Sequence, residues 1–486
     1  MSLLQEKIFK LKDNSKEGVK DLSKKEFQTY SEIFNSSEFY SGELASNQQD
    51  VISVILPNSI EYLEVLIACI MTGNIFNPIP FFTSDEELER IFKYIKPKKI
   101  ITTRDLNFSS PPKLKLLNPS EVKRKSNKKK FEKDPIDGGK IASLYYSSGT
   151  TGNPKGVLYS HDNVFFLIES INRGFGFSKE TKHLSFLPFG HTASINYNIF
   201  PSLFNGSSLV IAEGFSSIAN NFFKILSQES IAYTQAVPTV IYMLLKINYQ
   251  LQNLDFSSLM FIGCGSSILP VESQKQFQEK FDIKIGNLYG LSETGPTHID
   301  DPRKPDWQPG SIGVPLDVNE CKISEDSEIL IKGKNVFSGY FKNEKLFNEV
   351  VKAGWFYTGD LGIYQDKKFI YKDRSKDLII KGGINIVPAE VEEILYKNKE
   401  ILEAAVVGVF DKVHGEEVIA GVALKNLNTD KELIKTKLYK LLSDNLSSYK
   451  HPIDIFFLES LPKTHSGKLK RREVKKIIEN EYNKRI

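Results

Sequence analysis

Ten residues, Ser147 to Gly156 (SSGTTGNPKG), hold three glycines, four hydroxyl side chains, one lysine and no acid. Glycine lets the backbone curl so that successive N–H groups converge on an anion. Ser147, Ser148, Thr150 and Thr151 add hydroxyl donors around Gly149 and Gly152, and Lys155 adds a compact charge suited to phosphate. The apolar run Ile141 to Tyr146 reads as a short buried strand, so the loop hangs from a strand end. These residue types predict a seat for a polyphosphate, although composition alone fits a plain surface loop equally well. A Walker A loop is excluded. It needs Gly-Lys-Ser/Thr after four residues, whereas Pro154 precedes Lys155 and Gly156 follows it.

Further along the chain stand Leu187-Pro188-Phe189-Gly190-His191, Asn287 to Thr294 (NLYGLSET), Trp355 to Asp360 (WFYTGD), Lys372 to Glu392 and Pro462 to Lys468 (PKTHSGK). With the Ser147 loop, these segments resemble, in order and spacing, the motifs of the adenylate-forming superfamily of acyl-CoA synthetases, nonribosomal peptide adenylation domains and firefly-type luciferases. The matches run from about residue 145 to 470, and the preceding segment fits more loosely.

The resemblance implies a two-step reaction. A carboxylate attacks the α-phosphate of ATP to give an acyl-adenylate, and a thiol, usually that of coenzyme A, then takes the acyl group. The alternative acceptor is the phosphopantetheine of an acyl carrier protein. Both reactants of the first step are anions, so cations must offset their repulsion. The resemblance assigns Ser147 to Lys155 to the β- and γ-phosphates and Glu293 to Mg²⁺, a hard cation that prefers oxygen ligands. Ser292 stands where the family has Thr and keeps the hydroxyl directed to the α-phosphate. Asp360, helped by Arg374, is expected on the ribose hydroxyls. Tyr289, beside Gly290, is expected to stack on adenine, with Gly265 and Ser266 as the opposite wall. That wall departs from the family's Ser-Gly-Gly-Ala-Pro, since Cys264 to Ile268 reads CGSSI. Lys468 is the expected catalytic lysine of step one, bridging carboxylate and α-phosphate, and His191 borders the acid. Lys376 matches the hinge position, and Gly382 and Gly383 are expected to line the pantetheine path after the small domain rotates.

The elements that must hold these residues follow from periodicity. Val51 to Leu56, Asn74 to Pro80 and Lys99 to Thr103 read as strands, with an amphipathic helix over Ser59 to Thr72 and another over Glu86 to Tyr94. Such alternation predicts an α/β fold with parallel sheets. Pro388 to Asn398 and Lys431 to Leu446 read as helices, Ala404 to Phe410 and Val418 to Leu424 as strands. The resemblance implies a large N-terminal domain of two parallel-type sheets plus a distorted β-barrel, and a small mobile α/β C-terminal domain. The expected division is 1–372, a hinge at 373–377, and 378–486.

A chain of 486 residues is too long for one core. Its 64 basic and 60 acidic residues nearly balance and say little about partners. The basic run between Lys113 and Lys133 reads as a solvated loop; no nucleic-acid partner is expected, since the run has no aromatic interleaving or binding motif. Cys69, Cys264 and Cys321 lack disulfide or zinc spacing and fit a reducing compartment. The N-terminus lacks a secretory pattern, and the most apolar stretch, Tyr62 to Phe82, is broken by Glu64, Asn74 and Pro78. A cytoplasmic enzyme without a transmembrane segment is the expectation. Leu187 to Asn198 holds no acid to pair with a substrate amine, so amino acids are disfavoured. No arginine lies between Arg173 and Arg303, which weakens dicarboxylates. Thr192, Ser194, Asn196 and Gln235 make the expected pocket more polar than a long-chain tunnel. A luciferase-like oxygenase and a binding scaffold are the other readings. The scaffold is disfavoured by Lys155, Glu293, Asp360 and Lys468 occurring together.

Overall fold

In a computed structural model, residues 1–46, 48–108, 115–125, 135–147, 155–426, 428–463 and 469–483 are described. Ser148, Gly149, Thr150, Thr151 and Gly152, expected to bind phosphate, the side chain of Ser147, and Lys468 lie outside them.

Parallel pairing of short apolar strands builds the first sheet. Its order runs Gly339–Tyr340, Lys155–Ser160, Ile141–Ser147, Ile75–Pro78, Val51–Ile55, Lys99–Thr102, Lys115–Leu117. The strand Ile141–Ser147 pairs antiparallel with Lys155–Ser160, so the Ser147 loop joins neighbouring strands. A nine-stranded sheet forms the second layer, with Ile285–Leu291, Phe261–Cys264, Tyr233–Ala236 and His183–Ser185 consecutive and parallel. Its edge turns antiparallel through Gly295–Asp300. The barrel-like element is a five-stranded antiparallel sheet that includes Glu328–Gly333, Trp355–Gln365 and Lys368–Arg374.

The helix Ile60–Thr72 shows where periodicity misled. It is capped by the Ser59 hydroxyl and stopped by Gly73 at φ 71°, but it is not amphipathic. Every residue from Ile60 to Met71 except Glu61 is buried, because the helix packs beneath Leu3–Phe9 and Tyr30–Leu44. The basic run is also corrected in part. Pro119–Lys125 is a helix, and Lys123 Nζ lies 2.8 Å from the carboxylate of fully buried Glu64. A lysine drawn from the run offsets a charge that would otherwise be isolated in the core.

Past residue 378 a separate hydrophobic core forms. The hairpin Ile401–Asp411 and Gly415–Leu424, with Asp454–Leu458 alongside, is covered on one face by Pro388–Tyr396 and Lys431–Asn445. The other face is covered by Arg471–Asn483 through Val474 and Ile478. Among the described residues, no helix is long and apolar enough to cross a membrane.

Candidate active site

The hairpin of Ile285–Leu291 and Gly295–Asp300 presents the YGLSET segment, and its register shifts between Tyr289 and Gly290. A Cβ on Gly290 would fall 2.1 Å from the Gly295 carbonyl oxygen, so the strands close only over glycine. Glu293 sits in the turn with 9% of its surface exposed. Its Oε1 accepts a 2.9 Å hydrogen bond from the Tyr340 hydroxyl, and its carbonyl accepts from the Phe337 N–H. Burial pushes the Glu293 carboxyl up, against the Tyr340 hydrogen bond and the charges of Arg374 and Lys155. Lys155 Nζ lies 5.9 Å from the centroid of the Tyr340 ring. Tyr340 thus stands between Glu293 and Lys155, the first residue of the strand Lys155–Ser160. Nothing in its segment SGYFKN marked it, because a tyrosine between strands reads as core. Ser292 is half-buried, and its carbonyl accepts from the Tyr159 hydroxyl at 2.8 Å.

Asp360 lies on the long strand Trp355–Gln365, opposite Arg374 in register. It is 2% exposed. Oδ2 accepts from the Tyr289 hydroxyl at 2.8 Å, and Oδ1 faces Arg374 Nε at 3.0 Å. The Tyr289 ring contacts His298 and Tyr371 at centroid separations of 5.5 and 6.0 Å. Burial and the adjacent Asp360 carboxylate hold the Tyr289 hydroxyl well above its ordinary range, so it serves as a donor.

His191 caps the short helical turn that follows it, with Nδ1 accepting from the Ala193 N–H at 3.2 Å. In a neutral ring that bond leaves the proton on Nε2. Gly190 admits the chain against the other sheet, since a Cβ there would lie 2.2 Å from Pro80 N. Asn58, unread in the sequence, clamps this segment by donating to the Leu187 carbonyl and accepting from the Phe189 N–H. Behind His191 the helix opens into a π-turn, Ile195–Ile199, a distortion that often accompanies functional sites.

Gly265 is buried beside the Ala236 carbonyl. Ser266 is exposed with φ 68°, a left-handed conformation where glycine is at ease. Lys376 lies in the exposed turn Ser375–Asp377. Gly382 and Gly383, at φ 57° and 80°, form the tip between Ile379–Lys381 and Ile384–Ile386. The Gly382 N–H donates to the His414 carbonyl, and Lys381 pairs with Glu417 at 2.7 Å. The structure thus groups Glu293 with Lys155 and Asp360 with Tyr289 and Arg374. Gly382 and Gly383 have their recorded neighbours within the smaller unit.

An α/β protein with one buried acid in a hairpin turn, a second on the antiparallel barrel-like sheet, and a separate small C-terminal core is the class these features define. The AMP-binding enzyme family model matches residues 13–341, and that of the AMP-binding enzyme C-terminal domain matches 390–468. The chain is 36% identical over 366 residues to a long-chain-fatty-acid–CoA ligase of Bacillus subtilis, covering 70% of this chain and 63% of that ligase. It is 30% identical over 452 residues to an indoleacetate–CoA ligase of Aromatoleum aromaticum, covering 87% of each. A solved o-succinylbenzoate CoA synthetase from Bacillus subtilis, in complex with its acyl-adenylate intermediate, superposes with a TM-score of 0.83 at 26% identity over 98% of both chains. The chain belongs to the AMP-binding enzyme family, and it is an AMP-forming acid–thiol ligase.

Proposed function

We propose that the chain joins a small carboxylic acid to coenzyme A in two steps within one cleft, consuming ATP and releasing AMP and pyrophosphate. The observation that carries this reading is the buried Asp360 carboxylate, held by Tyr289 and Arg374, in the same structure as the Glu293–Tyr340–Lys155 group. The first is suited to ribose hydroxyls, because carboxylate oxygens accept more than one hydrogen bond each. Tyr289 and the Gly265–Ser266 turn flank the adenine. The second group is suited to phosphates. Glu293 fits Mg²⁺, a hard cation that takes oxygen ligands, being a buried carboxylate of which Tyr340 engages one oxygen. When bound, the ion supplies charge neutralisation at the triphosphate. Ser292 offers its hydroxyl to the α-phosphate, and residues 147–155 cradle the distal phosphates.

The acid enters beside His191. Lys468 supplies the ammonium between carboxylate and α-phosphate, a role supported by its PKTHSGK context. We divide the chain at 1–372, 373–377 and 378–486 and assign the middle segment, with Lys376, to a hinge. Rotation there brings Gly382 and Gly383 to the thioester step. A reducing cytoplasm is the inferred setting, supported by the free cysteines Cys69 and Cys264, both buried.

Separating the half-reactions tests the assignment. Lys468→Ala should lower acid-dependent ATP–pyrophosphate exchange at least ~100-fold, yet convert supplied acyl-adenylate to thioester at near the normal rate. Equal loss of both half-reactions would remove Lys468 from step one.

A further inference from the structure

In parallel α/β sheets ligands sit outside the carboxyl ends of the strands. In the nine-stranded sheet those ends carry Leu187–His191 after His183–Ser185, Gln235 on Tyr233–Ala236, and Gly265 after Phe261–Cys264. An acid whose carboxylate reaches the phosphates must extend its body back among them. Gln235 stands opposite Gly263 in register. A glycine there opens room above the strand, but the room is already taken. A Cβ on Gly263 would lie 2.5 Å from Gln235 Oε1, 2.5 Å from the Tyr233 hydroxyl and 2.8 Å from Leu288 Cδ1.

This filling is fixed in place. The Tyr233 hydroxyl donates to Gln235 Oε1 at 2.6 Å, and Gln235 Nε2 donates to the Ala236 carbonyl at 2.9 Å. Tyr233 is fully buried, with its ring held by Phe177 and Phe261 at centroid separations of 4.7 and 5.1 Å. On the cleft side, Gln235 Nε2 lies 3.5 Å from where a Cβ on Gly265 would stand. A long alkyl chain has no passage over Gly263 unless it displaces this pair. Doing so strands a buried hydroxyl and a buried amide without their partners, a cost that opposes entry of the chain.

We infer that Gln235, braced by Tyr233, is the floor of the acid pocket, a specificity-determining residue that restricts the enzyme to compact acids. Their bodies are short alkyl chains or single rings, and long straight chains are excluded. The inference rests on the acid–CoA ligase reading. It also separates this chain from the long-chain activity named for its Bacillus subtilis relative.

The test is acid-dependent ATP–pyrophosphate exchange by the full chain with acetate, butyrate, hexanoate, octanoate, dodecanoate, palmitate and phenylacetate, for the unaltered protein, Gln235→Ala, Gln235→Asn and Tyr233→Phe. The unaltered protein should favour butyrate, hexanoate or phenylacetate over palmitate by at least ~100-fold in kcat/KM. Gln235→Ala should raise its octanoate-to-butyrate ratio about tenfold. A ratio within one variant does not depend on how much of that variant folds, and Gln235→Asn retreats the amide by one methylene while keeping the group. If every variant is inactive, the series on the unaltered protein decides. A preference for dodecanoate or palmitate overturns the inference alone. So does an unchanged ratio in active Gln235→Ala. Absence of exchange with every acid overturns the ligase reading and the inference with it.

Discussion

Asp360 and Glu293 are both buried carboxylates, and each is kept workable by a tyrosine hydroxyl. The pairing predicts distinct losses. Asp360→Asn removes the charge opposite Arg374 and leaves a guanidinium with 29% side-chain exposure poorly matched. We expect kcat/KM for ATP to fall about 100-fold, on the order of 3 kcal/mol, as for breaking a buried pair. A change within threefold (under about 0.7 kcal/mol) in exchange assays across ATP concentration would contradict the ribose role. Tyr340→Phe deletes one hydrogen bond to a carboxylate, about 1.5–3 kcal/mol. It should raise the Mg²⁺ concentration for half-maximal activity about tenfold or more and lower the melting temperature by a few degrees. Asp360, Glu293 and Ser292 stand out in the sequence only through the resemblance of their segments to family motifs, since an Asp after Thr-Gly reads in isolation as a turn residue. Tyr340 does not stand out, since its role depends on Lys155–Ser160 and Gly339–Tyr340 pairing across the first sheet. No spacing along the chain encodes that meeting.

At the scale of elements, the small unit meets the large one through helix ends. The helices Val271–Phe281 and Pro388–Tyr396 begin after Pro270 and Val387, neither of which has a capping side chain. Each is capped from across the junction. Glu393 Oε1 accepts from the Val271 N–H at 2.8 Å, and Asp373 Oδ2 accepts from the Ala389 N–H at 3.0 Å. Burial pushes both carboxyls up. Within the small unit, Arg471 anchors the helix Pro388–Tyr396 to the strand Ile401–Asp411 by donating to the Glu392 carboxylate and to the Val406 carbonyl. Replacing one cap, as in Glu393→Ala, removes about 1 kcal/mol. Amide exchange in the first turn of Val271–Phe281 should then quicken about fivefold, and unaltered protection there would refute the cap. Sequence periodicity places the helices Pro388–Tyr396 and Lys431–Asn445 and the hairpin Ile401–Asp411 with Gly415–Leu424 within a few residues, but it leaves Asp454–Leu458 and Arg471–Asn483 unread. Partners across the junction were illegible, although the absence of Ser, Thr, Asp or Asn before either helix was a signal that a cap comes from elsewhere. Ile60–Thr72 marks the opposite failure. Its pattern fits an amphipathic helix, yet burial on all sides came from neighbouring helices that the pattern does not name.

Across the whole molecule, acid sensitivity follows from three buried histidines. His183 is wedged between Phe177 and Tyr233. His298 lies against Tyr289 and Phe369, and His161 meets the Ser2 hydroxyl at 3.0 Å. Burial lowers them from 6.5 to about 3, about 3 and about 4 respectively. The folded protein therefore keeps them neutral while the unfolded chain takes up protons as pH falls below 6.5. Their stabilising contribution is full above that point and is lost on the way down to the folded values. At pH 5 the loss is about 2 kcal/mol for each, roughly 6 kcal/mol together, comparable to a typical total stability. Urea midpoints measured from pH 7.5 to 5 should drop steeply, and a flat profile would contradict neutral burial.

The large sheets, the barrel-like element and the separate small core all exist to bring one acid, one nucleotide and one thiol together in turn. The most direct measurement is product analysis after incubating the full chain with ATP, Mg²⁺, coenzyme A and a mixture of compact carboxylic acids. The account predicts AMP, pyrophosphate and an acyl-CoA thioester in equal amounts, none of them formed without acid. ADP and phosphate in their place, or acyl-adenylate that never becomes a CoA thioester, would contradict it.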